Sequence, residues 1–161
     1  SGEFSNFMNQ IFDIWFKYDN PDIKIRFLEQ IITAILGGRP TLCKLSGLCD
    51  NYNTLEHNGV VGPCDNLFDL KKRGFGNLFS KNLGEILNSN ERINFRDKLN
   101  AQKGICIKCN DYRICKGGCS RYSLSHKTQL NVPNYFCADY REIIRHVRHQ
   151  INFYHPKIRQ I

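Results

Sequence analysis

Apolar residues near the start of the chain recur with the spacing of one helix face. They fall at i, i+3, i+4, i+7, i+8 and i+11: Phe4, Phe7, Met8, Ile11, Phe12 and Trp15. This period predicts an amphipathic helix. Ile14 and Phe16 are apolar too but lie off this stripe, so the helix is apolar on more than one side. We therefore expect it to pack between two layers of the protein.

The following residues change from the helical period to alternation. Residues 23–27 read IKIRF, which predicts a strand, and residues 28–36 read LEQIITAIL, which predicts a second helix before Gly37-Gly38. Residues 1–40 are thus expected to form a helix–strand–helix piece of an α/β unit, with too few strands for a sheet. A domain boundary is placed near Arg39-Pro40.

Turn signals dominate the middle of the chain. Asn58-Gly59 separates two short β-like runs and predicts a tight hairpin, whose second strand ends at Cys64 and Asp65. Another turn is expected around Gly76-Asn77.

Helical patterns follow this hairpin on the C-terminal side. Residues 82–102 predict one helix or two short ones, with Ser89 or Asn90 as a possible N-cap. A last amphipathic helix with a basic outer face is predicted after Cys137. Its apolar positions are Tyr140, Ile143, Ile144, Val147 and Ile151. Together these elements predict an α+β fold, a small cysteine-rich domain with a β-hairpin, loops and flanking helices.

Composition and charge limit the classes of function. The chain has 161 residues, is 41% hydrophobic and has no apolar run near the ~18 residues of a membrane span, which favours a cytoplasmic protein without a membrane partner. Its formal charge is +8, from 23 basic and 15 acidic residues. A nucleic-acid partner is not favoured, because the basic residues are spread along the chain. Basic residues would also offset the negative charge of metal–thiolate groups.

The eight cysteines offer the main candidate chemistry. They lie at positions 43, 49, 64, 106, 109, 115, 119 and 137, and the central four have the spacing C-x2-C-x5-C-x3-C. A disulfide framework is less favoured, because such frameworks usually support shorter chains that lack a core. Zinc is a stronger alternative, since Cys106 and Cys109 form one C-x2-C pair. That alternative would make the protein a zinc-stabilised binding module, with nucleic acid as a conceivable ligand.

Iron–sulfur clusters fit the cysteine count and the glycines best. A [4Fe–4S] cluster takes four thiolates, and in two-cluster ferredoxins a compact run of cysteines serves both clusters. Eight cysteines suffice for two such clusters. Gly104, Gly117 and Gly118 precede cysteines, where a bare backbone can approach cluster sulfur closely.

The spacing also resembles a known family. Cys49-x9-Gly59-x4-Cys64, then the four-cysteine run, then Cys137 resembles the SPASM domain, the C-terminal extension of radical S-adenosylmethionine enzymes that modify peptides and proteins. With Cys43 included, the set resembles the anaerobic sulfatase-maturating enzymes. The resemblance covers residues 41–141. It implies that residues 1–40 end a preceding radical enzyme barrel, and it leaves residues 142–161 as a basic helix and tail.

The resemblance implies the ligand sets and the chemistry. Two auxiliary [4Fe–4S] clusters would be held in a crossed pattern, the first by Cys43, Cys49, Cys64 and Cys119, and the second by Cys106, Cys109, Cys115 and Cys137. They would accept an electron or shape a peptide site while a Ser or Cys side chain is oxidised. Asp65 would be the catalytic base. Zinc could occupy these thiolates in protein purified in air.

One departure from the family concerns the radical-generating motif. No three of the eight cysteines have the spacing C-x3-C-x2-C. S-adenosylmethionine would therefore bind only in a barrel on the same polypeptide, and this chain alone should be inactive. The segment after Gly118-Cys119, which reads SRYSLSH, also differs from the expected maturase form. The peptide substrate and the modification therefore stay open, including other side-chain links.

Overall fold

A computed structural model describes residues 2–68, 74–124 and 134–154. Its α-helices, in chain order, are α1 (Glu3–Tyr18), α2 (Arg26–Ile35), α3 (Cys43–Ser46), α4 (Leu83–Leu87), α5 (Asn90–Gln102), α6 (Tyr112–Cys115), α7 (Arg121–Leu124) and α8 (Cys137–Tyr154). Its strands are β1 (Asn53–Leu55), β2 (Val60–Pro63) and β3 (Gly76–Asn77). Two 3₁₀ turns cover Cys49–Asn51 and Gly104–Lys108. This mixture of helices and a small sheet confirms the predicted α+β class.

The main core lies between the long helices α1, α2 and α8. Buried side chains from α1 and α2 meet the apolar face of α8, and α3 and α6 close the core near the cysteines. The buried residues of α8 include all five predicted ones: Tyr140, Ile143, Ile144, Val147 and Ile151. Arg141, Arg145 and His149 are exposed on the opposite face. Among the described residues, no helix combines the length and the apolar character that crossing a membrane requires.

The strand predicted at residues 23–27 is wrong. Only a short extended segment precedes α2, which begins at Arg26. Leu28 and Ile31 are fully buried at helical spacing, whereas Ile23 is exposed, so burial of the helix face decides the conformation. The indole Nε1 of Trp15 donates a hydrogen bond of 2.8 Å to the Ile23 carbonyl, which fixes the connection. Residues 1–40 therefore contain a helix–loop–helix, not the predicted helix–strand–helix.

A three-stranded antiparallel sheet in the order β1-β2-β3 carries the second core. The predicted hairpin is confirmed, with Leu55 opposite Val61 and Gly59 at φ 80° in its loop. The turn predicted at Gly76-Asn77 is wrong, since these residues form β3 opposite β2. The turn comes directly after them, because the Asn77 side chain accepts a hydrogen bond from the Phe79 N–H.

Two capped helices follow the sheet, as the sequence allowed. Asn82 and Glu85 form a reciprocal capping box at the start of α4. Ser89 caps α5 by accepting the Arg92 N–H. These caps satisfy N–H groups that a helix start leaves unpaired, and they place the break between the two helices.

Part of α1 is not covered by the described chain. Phe7, Ile14 and Tyr18 are 60%, 71% and 66% exposed, respectively. They lie seven and four residues apart, so they form one stripe along the helix. This outcome agrees with the expectation that α1 is apolar on more than one side.

A buried carboxylate joins α8 to the start of α1. Asp139 is 3% exposed, and its Oδ1 accepts hydrogen bonds of 3.1 Å from the N–H groups of Gly2 and Ser5. Burial alone would raise the pKa of Asp139, but these hydrogen bonds lower it below its ordinary value. Further along, the Nε2 of His146 lies 2.6 Å from Asp13 Oδ1, so α1 and α8 run parallel.

We expect Asp139→Ala to lower the free energy of unfolding by about 1–3 kcal/mol, because two buried N–H groups lose their acceptor. Asp139→Asn should lose less, since it keeps an acceptor oxygen. Urea unfolding of both variants and of Glu3→Ala, an exposed acid in the same first turn, would measure this at matched metal content. Equal stability of the Ala variant and the wild type would contradict the capping role.

Candidate functional site

The eight cysteines lie in loops and at helix ends around the start of α8, and none forms a disulfide. Cys43 opens α3, and Cys49 opens the first 3₁₀ turn. Cys64 directly follows β2. Cys137 is the first residue of α8. Helix starts and strand ends thus position the thiols, and the hydrophobic core lies behind them.

Four thiols from separate segments form a first group. Burial raises the pKa of the Cys64 thiol, and negative charge on Cys49 and Cys119 raises it further. Burial also raises the pKa of Cys119, to which charge on Cys49 and Cys43 adds. Cys64 is thus linked electrostatically to Cys49 and Cys119, and Cys119 to Cys43, so these four thiols lie in one region of the structure.

The other four thiols surround a cavity of about 190 Å³. Cys106, Cys109, Cys115 and Cys137 all line it. Burial raises the pKa of Cys115 to about 11, with contributions from charge on the other three. Among the described residues, the cysteines whose charge raises the pKa of another cysteine belong to the same group as that cysteine. No effect of this kind is resolved between the second group and the first.

A sharp turn after α6 sends Cys115 and Cys119 to different groups. Gly117 and Gly118 have φ values of 82° and 71°, which other residues rarely adopt. A Cβ at Gly118 would lie 3.1 Å from the Tyr140 ring. Only glycine fits this reversal and close approach, which explains the pair of glycines before Cys119.

Asn134 is a buried residue that our sequence analysis missed. Its Nδ2 donates a hydrogen bond of 2.7 Å to the Cys119 carbonyl, and its own carbonyl accepts one of 2.8 Å from the Cys137 N–H. Its Oδ1 accepts the Phe136 N–H. Asn134 therefore joins one cysteine of each group. The available signal was the asparagine three positions before Cys137, since an asparagine that accepts the N–H two residues further on is typical of an Asx-turn.

Arg92 of α5 and Lys103, the residue after α5, anchor the backbone on the two sides of Cys49. The guanidinium of Arg92 donates hydrogen bonds to the carbonyls of Asp50 (3.1 Å) and Leu87 (3.3 Å). The ammonium of Lys103 donates one of 3.0 Å to the Gly47 carbonyl. The bonds to Asp50 and Gly47 join residues 42 and 56 positions apart in the chain, so no local pattern indicated them.

An ion-pair cluster fixes the second group to α8. Arg141 and Arg148 lie 3.6 and 3.7 Å from the carboxylate of Asp111. Asp111 stands in the loop between Cys109 and Cys115, so the pairs tie that loop to the helix of Cys137.

Lys44 brings a positive charge to the first group. Its Nζ lies 4.3 Å from the centroid of the Phe27 ring. Burial lowers the pKa of Lys44, while negative charge on Cys119 and Cys43 opposes that shift.

Asp65, the predicted base, lies in an exposed turn directly after Cys64. The guanidinium of Arg121 donates a hydrogen bond of 2.6 Å to the neighbouring Asn66 carbonyl. This bond ties the turn to the segment that follows Cys119. Asp65 thus lies beside the first group, and no hydrogen bond or ion pair of its carboxylate joins it to another described residue.

The spacing of the thiols and the volume between them distinguish a site for a single metal ion from a site for a cluster. Thiolates around one zinc ion at about 2.3 Å lie within about 4 Å of each other. Among the described residues, no three Cys, His, Asp or Glu side chains are arranged to hold one ion. The cavity in the second group is many times the volume that one water molecule needs, about 10–15 Å³. Four soft thiols around such a space fit a multi-atom iron–sulfur cluster.

Comparisons with known proteins agree with this chemistry. Residues 48–110 match the SPASM family, described as an iron–sulfur cluster-binding domain. The cysteine-type anaerobic sulfatase-maturating enzyme of Clostridium novyi (strain NT) is 30% identical over 141 residues, covering 86% of this chain and 37% of that protein. The serine-type enzyme of Bacteroides thetaiotaomicron is 29% identical over 154 residues, covering 94% and 37%. The chain thus spans less than half the length of these curated relatives.

Solved structures share the fold as well as the sequence. The structure described as native anSMEcpe with bound AdoMet and Cp18Cys peptide superposes with a TM-score of 0.79 at 27% identity. The match covers 97% of this chain and 44% of that one. Residues 48–110 thus match the SPASM family, and the chain as a whole is similar in sequence and fold to part of the anaerobic sulfatase-maturating enzymes.

Proposed function

We propose that the chain holds two [4Fe–4S] clusters, one in each thiol group. The observation that carries the proposal is the division of the four-cysteine run. Cys106, Cys109 and Cys115 join Cys137, while Cys119 joins the first group, Cys43, Cys49 and Cys64. Each group then has four thiols, the number that one such cluster takes.

The raised pKa values of the thiols support a metal centre as their partner. Burial and mutual charge raise the pKa of Cys64, Cys106, Cys115, Cys119 and Cys137. Without a cation these thiols stay protonated at neutral pH, and four thiolates in one place would repel each other. Iron supplies the positive charge that makes four buried thiolates favourable. When bound, such clusters take up and release single electrons.

We further propose that the chain belongs to a radical S-adenosylmethionine enzyme that oxidises a Ser or Cys side chain, or modifies another one, in a peptide or protein. The names of the relatives and the peptide-bound solved structure support this. S-adenosylmethionine and the radical-generating cluster would bind in a barrel on the same polypeptide. The exposed stripe of Phe7, Ile14 and Tyr18 supports a further packing partner for α1.

Asp65 is proposed as the base of this oxidation. Loss of hydrogen from a carbon that bears a hydroxyl or thiol must be followed by loss of a proton and an electron. The turn that carries Asp65 is held at both ends, by Cys64 on one side and by Arg121 through the Asn66 carbonyl on the other. An exposed carboxylate on a fixed turn is able to reach a bound substrate and accept that proton.

Chain produced and kept without oxygen should carry roughly eight iron atoms, since two [4Fe–4S] clusters hold four each. Iron and sulfide analysis together with the visible spectrum would measure this. Stoichiometric zinc without sulfide under the same conditions would contradict the proposal and favour the zinc-stabilised module.

The crossed ligand sets predict how single variants group. Cys119→Ala and Cys64→Ala should each lose the first cluster and keep the same residual electron paramagnetic resonance (EPR) spectrum. Cys115→Ala and Cys137→Ala should lose the second cluster and share a different one. Identical residual spectra for Cys115→Ala and Cys119→Ala would indicate that all four cysteines from Cys106 to Cys119 bind a single centre. That result would contradict the crossed ligand sets.

The role of Asp65 is testable in the full-length enzyme. Asp65→Asn keeps the shape but removes the base, so product formation should fall at least about 100-fold. Cluster content and S-adenosylmethionine cleavage should stay unchanged. Asp50→Asn is the matched control, because Asp50 also directly follows a cysteine of the first group. Near-normal product from the Asp65 variant would leave it as a turn residue, and loss of clusters would assign it a structural role.

A further inference from the structure

Lys44 occupies an unusual position for a lysine. It follows Cys43 on α3, it is only partly exposed, and its Nζ stacks on the Phe27 ring at 4.3 Å. Phe27 packs against the main hydrophobic core. The ammonium is therefore held against the core, whereas most lysines extend into solvent.

No carboxylate among the described residues forms an ion pair with this ammonium. None of the ion pairs in the described part of the chain includes Lys44. The negative groups that act on it are the thiols of Cys43 and Cys119. A partly buried ammonium without a counter-charge is unfavourable, and the face of one aromatic ring offsets only part of that cost.

The side chains that pack around Lys44 connect it to the first group of thiols. The Phe27 ring lies 5.8 Å from the Tyr140 ring, centroid to centroid. Tyr140 in turn packs on Gly118, the residue before Cys119. Lys44 directly follows Cys43, and the thiol of Cys119 is near enough to act on its ammonium electrostatically. Near the second group, Arg141 is paired with the carboxylate of Asp111, and the Lys103 ammonium that acts on Cys106 donates a hydrogen bond to the Gly47 carbonyl.

We propose that Lys44 raises the reduction potential of the cluster held by Cys43, Cys49, Cys64 and Cys119. The inference rests on the two-cluster function proposed above. Reduction transfers one electron from a low-potential donor to this cluster, which gains one unit of negative charge while the donor is oxidised. No proton is taken up in this step. An unpaired positive charge fixed close by stabilises the more negative, reduced state.

The experiment is a redox titration of the anaerobically loaded full chain with dithionite, followed by EPR. Lys44→Met removes the charge and keeps a flexible apolar side chain, whereas Lys44→Arg keeps the charge. Lys17→Met is the matched control. Lys17 is exposed in the last turn of α1. Its neighbour Phe16 contacts Tyr154 at the C-terminal end of α8, whereas Cys137 lies at the N-terminal end of that helix.

In Lys44→Met, one of the two midpoint potentials should move to a more negative value, by more than any shift in Lys17→Met. The other midpoint should stay in place, and Lys44→Arg should match the wild type. Unchanged midpoints in Lys44→Met with full iron content would overturn the inference and leave the two-cluster proposal intact. A wild-type chain without iron and sulfide would overturn both. If Lys44→Met does not load iron, Lys44→Gln is measured in its place. A shift of one midpoint to a more negative value then supports the inference, and unchanged midpoints overturn it.

Discussion

Bringing eight thiols into two small groups is the constraint on which the rest of this structure depends. Buried thiolates repel each other because the surrounding medium screens their charge poorly. The raised pKa values of the two groups express this conflict. The polypeptide must therefore hold the thiols in place by interactions that do not involve sulfur, so that a metal centre has a site to enter. The hydrogen bonds of Asn134, Arg92 and Lys103 to backbone groups beside the cysteines are of this kind.

The scaffold meets that constraint with different interactions on each side. The hydrophobic core of α1, α2 and α8 fixes the start of α8, and with it Cys137. Asp139 adds a buried capping contact to α1 only two residues further on. On the other side, the long polar side chains of Arg92 in α5 and of Lys103 directly after it bind backbone carbonyls near Cys49. Carbonyl groups are suitable anchors there, because a loop of ligands has few apolar side chains to pack.

Local patterns predicted the parts of this scaffold that depend on local spacing. The apolar face of α8 and the hairpin at Asn58-Gly59 were readable, since period and turn chemistry act over a few residues. The strand prediction for residues 23–27 was wrong because five alternating residues also fit the start of a helix. Only the burial of Leu28 and Ile31 decides between strand and helix. The grouping of the cysteines came from a family resemblance. The contacts of Asn134 and Arg92 were beyond prediction, because their partners lie 15 and 42 residues away in the chain.

The short link between Cys115 and Cys119 has a mechanical consequence for the two centres. Only three residues separate these cysteines. Two of them are glycines in the left-handed region, and the second, Gly118, lies against the Tyr140 ring. Asn134 adds a second connection, from the Cys119 carbonyl to the N–H of Cys137. Neither group is therefore able to shift without moving the other. Two such links suit the pair of clusters proposed above, because they hold the two thiol groups at one separation.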